Sequence, residues 1–122
     1  MIDHILIHVA DLEASTAFYV KALAPLGYAL LMKEEQFAGF GAGGKPDFWV
    51  AVGKPTDPVH VAFRAKGRSD VRAFYEAAVG AGGADNGPPG LRADYHPDYY
   101  GAFVRDPDGH NVEAVCHEAY LG

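Results

Sequence analysis

Ala17-Phe18-Tyr19 returns as Ala73-Phe74-Tyr75, and the same offset of 56 residues (73 − 17) links His4 to His60 and Gly27 to Gly83. One three-residue identity arises by chance in a biased composition. Three separated features sharing a single shift do not. The chain therefore reads as one unit written twice, module one over about residues 1–55 and module two over about 58–117, within a single domain spanning 1–122.

Each copy has the same local grammar. His4-Ile-Leu-Ile-His-Val9 is β-branched and apolar and favours a strand. Asp11 sits at a helix N-cap position with Glu13 in the first turn, where an acid suits the helix dipole. Leu12, Ser15, Tyr19, Ala22, Leu23 and Leu26 recur at helical spacing, and Pro25 and Gly27 end the helix. Strands are expected at Tyr28–Lys33, Gln36–Phe40 and Asp47–Val52. In the second copy Val59–Arg64 is the strand, Ser69 the cap, and Val71, Phe74, Tyr75 and Ala78 the apolar helix face, with Gly80 to Gly83 as the stop. An irregular stretch from Asn86 to Tyr95 precedes a hairpin, Tyr99–Val104 and Asn111–Cys116, turned by Asp106-Pro-Asp-Gly109. The fold class is α+β: two βαβββ modules forming a half-barrel, with a helix on one face of each sheet and the concave face left free.

Bulk properties narrow the partners. A chain of this length removes roughly two-thirds of its unfolded surface from water, so it needs no staples. A net charge of −6 argues against nucleic acid or an anionic membrane surface. Cys116 has no second cysteine to pair with, which fits a reducing compartment. The N-terminus shows no secretory pattern. The apolar run Tyr28–Met32 is far short of the ~20 residues of a membrane span. A cytoplasmic protein is expected.

Side chains alternate faces along a strand, so parity decides which residues meet. Ile5, Ile7 and Val9 form an apolar set to pack on the helix, which turns His4, Leu6 and His8 to the concave side. The repeat carries His60, Ala62 and Arg64 to the same side. In the last strand Val112, Ala114 and Cys116 are the apolar face, so Asn111, Glu113 and Val115 face the cavity. A lone strand histidine is more often a hydrogen-bonded core residue than a ligand. His4, His60 and Glu113 jointly, at symmetric places, are a donor set suited to a divalent metal, with positions left open for substrate.

Along nearly its whole length the chain resembles the vicinal oxygen chelate superfamily, which holds glyoxalase I, bleomycin-resistance proteins and extradiol dioxygenases. The resemblance rests on Asp3-His4, Val9-Ala10-Asp11-Leu12-Glu13 and Ala17-Phe18-Tyr19, on Pro58-Val59-His60-Val61-Ala62-Phe63, and most specifically on Phe103-Val-Arg-Asp-Pro-Asp-Gly-His-Asn-Val-Glu113. It implies metal ligation by the histidines of the first and fifth strands and the glutamate of the eighth, which fall on His4, His60 and Glu113. It also implies a homodimer, with the site within one chain or shared between two. The fourth strand, Asp47-Phe-Trp-Val-Ala-Val52, lacks the mid-strand acid of glyoxalase I-like members. Phe103 stands where extradiol dioxygenases carry a tyrosine, and their additional catalytic histidine has no counterpart.

The leading expectation is a metal-dependent enzyme acting on a small oxygen-rich substrate by glyoxalase-like lyase or isomerase chemistry through an enediolate-type intermediate. Its ion (Ni, Zn, Mn or Fe) is not distinguished by the donor set, and Glu113 serves as ligand and proton carrier. The alternatives are a metal-free, bleomycin-resistance-like binding protein with an aromatic cleft, and an extradiol-type dioxygenase. Candidate substrate contacts are His8, Trp49, Arg64, Tyr95, His96, Tyr99, Tyr100 and Phe103. Phe48 and Trp49 alternate, so one joins the core and the other walls the cavity. His110 and His117 read as surface residues, and Cys116 as packing.

Overall fold

The computed structural model describes residues 1–54 and 57–119; Pro55 and Thr56, where the module boundary is expected, lie outside them. β1 (Ile5–Val9) leads into α1 (Leu12–Leu23) through Asp11, whose Oδ1 accepts the Ala14 N–H at 3.1 Å. A 3-10 turn over Ala24–Leu26 carries Pro25 at its start and closes on Gly27, whose φ of 84° is the left-handed cap that glycine adopts without strain. β2 (Ala29–Lys33), β3 (Phe37–Gly41) and β4 (Phe48–Val52) complete the first sheet, in the order β1-β4-β3-β2 with β1 parallel to β4.

The second half repeats this plan with β5 (His60–Arg64), α2 (Arg68–Gly80), β8 (Tyr100–Arg105) and β9 (Asn111–Cys116). Two short strands also pair with β8: β6 (Ala84–Asp85), just before the stretch expected to be irregular, and β7 (Gly90–Leu91), inside it. The order is β5-β9-β8-β6, with β5 parallel to β9. Gly67, not Ser69, caps α2, and it offers no side-chain bond. The helix starts earlier than expected and leaves Ser69 inside its first turn.

Parity follows the sequence except at Ile5, which opens β1 37% exposed and lines a cleft instead of joining Ile7 and Val9 in the core. Ile7 and Val9 are buried while Leu6 and His8 are exposed, and Val61 and Phe63 are buried between exposed His60, Ala62 and Arg64. One core joins both sheets and both helices, which pack on each other. Its centre is aromatic: Tyr19 meets Phe18 and Phe48 edge-on at 4.9 and 5.0 Å, and Phe48 meets Phe63 of the second sheet at 5.1 Å. Fully burying each of these rings stabilises the fold by about 1.5–3 kcal/mol.

The β8–β9 turn locks the halves together. The Tyr19 hydroxyl donates to Asp106 at 2.6 Å, and Asp108 accepts from Ala10 N–H at 3.1 Å. His110, expected at the surface, is 2% exposed. Its Nδ1 accepts the Val59 N–H at 3.0 Å, which leaves the proton on Nε2, 2.9 Å from the His8 carbonyl. The expectation failed because both partners are remote in sequence. No helix among the described residues is long and apolar enough to cross a membrane.

Candidate functional site

On the face of the second sheet turned away from α2, three strands bring polar groups together. Glu113 stands level with Ala62 of β5 on one side and Phe103 of β8 on the other. Alanine beside it is too short to screen the carboxylate, so His60 at the head of β5 reaches it: Nε2 lies 2.7 Å from Oε1. The other oxygen, Oε2, accepts the Tyr99 hydroxyl. Glu113 is 1% exposed, whereas the His60 side chain is 54% exposed. The carboxylate is thus enclosed, and its open side is the imidazole. Burial of a carboxylate is costly unless its oxygens are hydrogen-bonded, and here both are.

Gly101 lies beside the contact between Tyr99 and Glu113 and leaves it room. A Cβ at Gly101 would stand 3.3 Å from the Tyr99 ring and 3.4 Å from Glu113 Oε2. Burial first, and the Glu113 carboxylate second, hold the Tyr99 phenol well above its ordinary range, so it keeps its proton and donates. The loop carrying Tyr99 is built by turns. Arg92 N–H binds the Tyr99 carbonyl at 2.7 Å, and the Asp98 N–H binds His96 Nδ1 at 3.1 Å. His96 Nε2 then lies 2.8 Å from His117 Nδ1, which ties the loop to the segment after β9. Arg92 also lies over the Phe103 ring at 5.3 Å, and Phe103 flanks His60 at 6.2 Å.

The remaining expected residues are distributed elsewhere. His4 lies just before β1, exposed, with Nδ1 2.7 Å from Asp3 Oδ1. It lines a cleft of about 230 Å³ between β1 and β5, together with Tyr28, Asp47 and Arg64, and does not join His60 and Glu113. The expected convergence of three donors therefore holds for two within one chain. Arg64 binds Glu118, whose carboxyl that guanidinium, with help from the Cys116 thiol, pulls down to about 2. Tyr95 is exposed and meets Tyr99 edge-on at 4.8 Å.

Tyr100 corrects an expectation: it lies on the opposite face of β8, where the Arg68 guanidinium sits 5.1 Å over its ring and Arg72 reaches its hydroxyl at 3.4 Å. Because β8 starts at Tyr100, strand alternation from Phe103 carries it to the helix side. Cys116 is buried on that same side, and burial raises its thiol pKa.

Module one presents a different face. Phe48 is in the core and Trp49 on the open side. The indole lies over Gly39, where a Cβ would come within 2.7 Å of its ring, and Phe37 meets it edge-on at 5.7 Å. Leu6 and Met32, on the same face by register, are 48% and 45% exposed. His8 shares this face, its ring packed over Gly53.

As a metal site, one chain fits in kind but not in number. Imidazole nitrogen and carboxylate oxygen side by side are donors for a divalent ion. Among the described residues, however, no three His, Cys, Asp or Glu stand together as a ligand set.

The family model of the Glyoxalase/Bleomycin resistance protein/Dioxygenase superfamily matches residues 1–114. The chain belongs to this superfamily. Solved structures similar to this superfamily member include a glyoxalase/bleomycin resistance protein from Albidiferax ferrireducens, 27% identical over 95% of this chain and 98% of that one, with a TM-score of 0.82. A glyoxalase-related enzyme from Fulvimarina pelagi is 22% identical, covering 95% and 87% of the two chains, with a TM-score of 0.74. A lactoylglutathione lyase from Agrobacterium tumefaciens is 18% identical, covering 95% and 92%, with a TM-score of 0.72. At the last two identities the likeness speaks to the fold alone. The two mixed sheets and two helices are the superfamily's architecture, and they do not close into a barrel.

Proposed function

We propose that two copies of this chain together hold a divalent metal ion and act on a small oxygen-rich substrate, in the manner of a glyoxalase-like lyase or isomerase. The observation that carries this reading is the His60–Glu113 pair, a buried carboxylate whose exposed neighbour is an imidazole at 2.7 Å. His60 and Glu113 from one copy would supply two donors and His4 from the other the third. The open apolar face of module one, with Leu6, Met32 and Trp49, is the kind of surface that a partner covers. A bound ion would supply Lewis acidity for adjacent substrate oxygens. Phe103 and Tyr99 wall the place where the substrate would sit, and the Glu113 oxygen facing His60 is the proton carrier.

Metal titration of untagged protein tests this. Uptake of Ni, Zn, Mn or Fe(II) should fall in His60→Ala and Glu113→Gln by more than the roughly 10–100-fold that an outer-shell change costs. Mixing His4→Ala with His60→Ala copies then locates the third donor. A shared site is restored in one of the two positions of each hybrid dimer, whereas a site within one chain is not restored at all. A second reading has its own support, the Trp49–Phe37 platform over Gly39, which suits capture of a flat apolar ligand without metal. Wild-type protein that takes up no ion but quenches Trp49 emission with such ligands favours that reading.

A further inference from the structure

We infer that Tyr99 is a positioning residue for Glu113: its hydroxyl holds one carboxylate oxygen so that only the other is presented beside His60. The inference rests on the metal reading above, and it names a residue outside the expected donor set.

The geometry leaves Glu113 little freedom. Oε2 accepts from the Tyr99 hydroxyl, and Oε1 lies 2.7 Å from His60 Nε2. A carboxylate with both oxygens free can bind an ion through either one or both, and it rotates between these modes. With Oε2 occupied by a phenol donor, one mode is left, through the oxygen on the open side. Outer groups that fix a ligand's orientation in this way raise metal affinity by removing conformations that cannot bind. A phenol suits the task because it donates one proton along one direction and carries no charge to compete for the ion.

Tyr99 is itself held. Its ring stands edge-on to Tyr95, His96 and His117 at 4.8, 5.4 and 5.3 Å. Its backbone is pinned at both N–H and carbonyl, by His96 O at 3.1 Å and Arg92 N at 2.7 Å. Gly101 beside the contact leaves it room. A ring held by three aromatic neighbours, with both backbone polar groups bonded and its hydroxyl aimed at one oxygen, is built to set that oxygen's position.

Two variants test the assignment, with metal affinity and the visible spectrum of the Co(II)-loaded protein as readouts. Tyr99→Phe should bind ion about 10–100-fold more weakly than wild type, with an altered Co(II) spectrum and an unchanged fold by circular dichroism. Gly101→Ala, which leaves both partners in place and presses only on the edge of the Tyr99 ring, should fall between the two. Equal affinity and an identical spectrum in Tyr99→Phe would overturn the inference. If the wild-type protein takes up no ion, the metal reading fails separately, and Raman difference spectra between wild type and Tyr99→Phe still decide this point. A doublet ratio typical of a strong phenol donor supports the positioning contact, and that of a free phenol overturns it.

Discussion

The Nε2 of His110 lies 2.9 Å from the backbone carbonyl of His8, a residue 102 positions earlier. Through Nδ1 the same ring accepts the Val59 N–H, so one buried imidazole bridges the ends of β1 and the lead into β5. His110→Ala leaves the Val59 N–H and the His8 carbonyl without their partner, and each such buried group costs about 1–3 kcal/mol. Urea unfolding should show a loss of at least about 2 kcal/mol. His110→Asn should recover part of it, since an amide can donate and accept. A loss below about 0.5 kcal/mol in the alanine variant would mean that water replaces the ring and that the bridge holds nothing.

Tyr19 predicts how the fold responds to alkali. Burial first, then the Asp106 carboxylate, raises its phenol pKa well above the ordinary 10.0. The folded state therefore keeps a proton that the unfolded chain releases. By linkage, this contribution is complete below pH 10 and is lost as pH rises beyond it. Burial and Asp47 push Tyr28 up to about 12, which acts in the same direction over a narrower window. Tyr19→Phe should cost about 1–3 kcal/mol at pH 8, because Asp106 loses a donor. It should also lose stability less steeply than wild type between pH 10 and 11.5, the remaining slope belonging to the other groups the fold keeps protonated, Tyr28, Tyr75, Tyr99 and Lys45. Parallel urea curves for the two proteins across that range would sink the assignment.

What the chain reveals about itself follows from which interactions are local. Strand alternation is a local rule, so the burial of Ile7, Val9, Val112 and Ala114 and the facing of Glu113 were readable from letters alone. Tyr100 was legible too: the expected strand Tyr99–Val104 contains it, and alternation from Phe103 puts it on the helix side, so grouping it with Tyr99 and Phe103 followed the aromatic composition of 95–100 and not the parity. His4 precedes β1, and its distance from His60 depends on how two sheets are set against each other, which no short pattern encodes. The same holds for His110. The Tyr99–Glu113 contact depends on the path of the loop after β7, which no local pattern in the sequence encodes.

Trp49 is the chain's one tryptophan, so its emission reports on the open face of module one alone. Gly39→Ala places a methyl within 2.7 Å of the indole ring, which must tilt off the sheet. The emission maximum should move to longer wavelength as the ring gains water. If the proposed dimer forms through this face, its dissociation constant should rise about tenfold or more, equivalent to roughly 1.4 kcal/mol. Sedimentation of Gly39→Ala beside Trp49→Ala checks it. Unchanged association in both variants would place any dimer contact elsewhere.

Gly27 and Gly83 occupy equivalent places in the repeat but are glycine for different reasons. Gly27 has a φ of 84° and nothing within 4 Å of a would-be Cβ, so its constraint is backbone handedness. Gly83 has no such φ; a Cβ there would fall 2.5 Å from Val104 Cγ1, 2.8 Å from Phe18 Cε1 and 2.9 Å from the Ala78 carbonyl oxygen. Gly27→Ala should therefore cost the left-handed penalty of about 1–2 kcal/mol. Gly83→Ala should cost at least the 1–3 kcal/mol typical of overpacking, because one of the atoms it meets is backbone and cannot rotate away. A double-mutant cycle separates the two causes. Val104→Ala removes the nearest clash at Gly83, so the Gly83→Ala/Val104→Ala pair should be less destabilised than the sum of its singles. With Gly27→Ala the effects should add within about 0.5 kcal/mol. Additivity in both cycles would mean that Gly83, too, is held by its backbone rather than by the space around it.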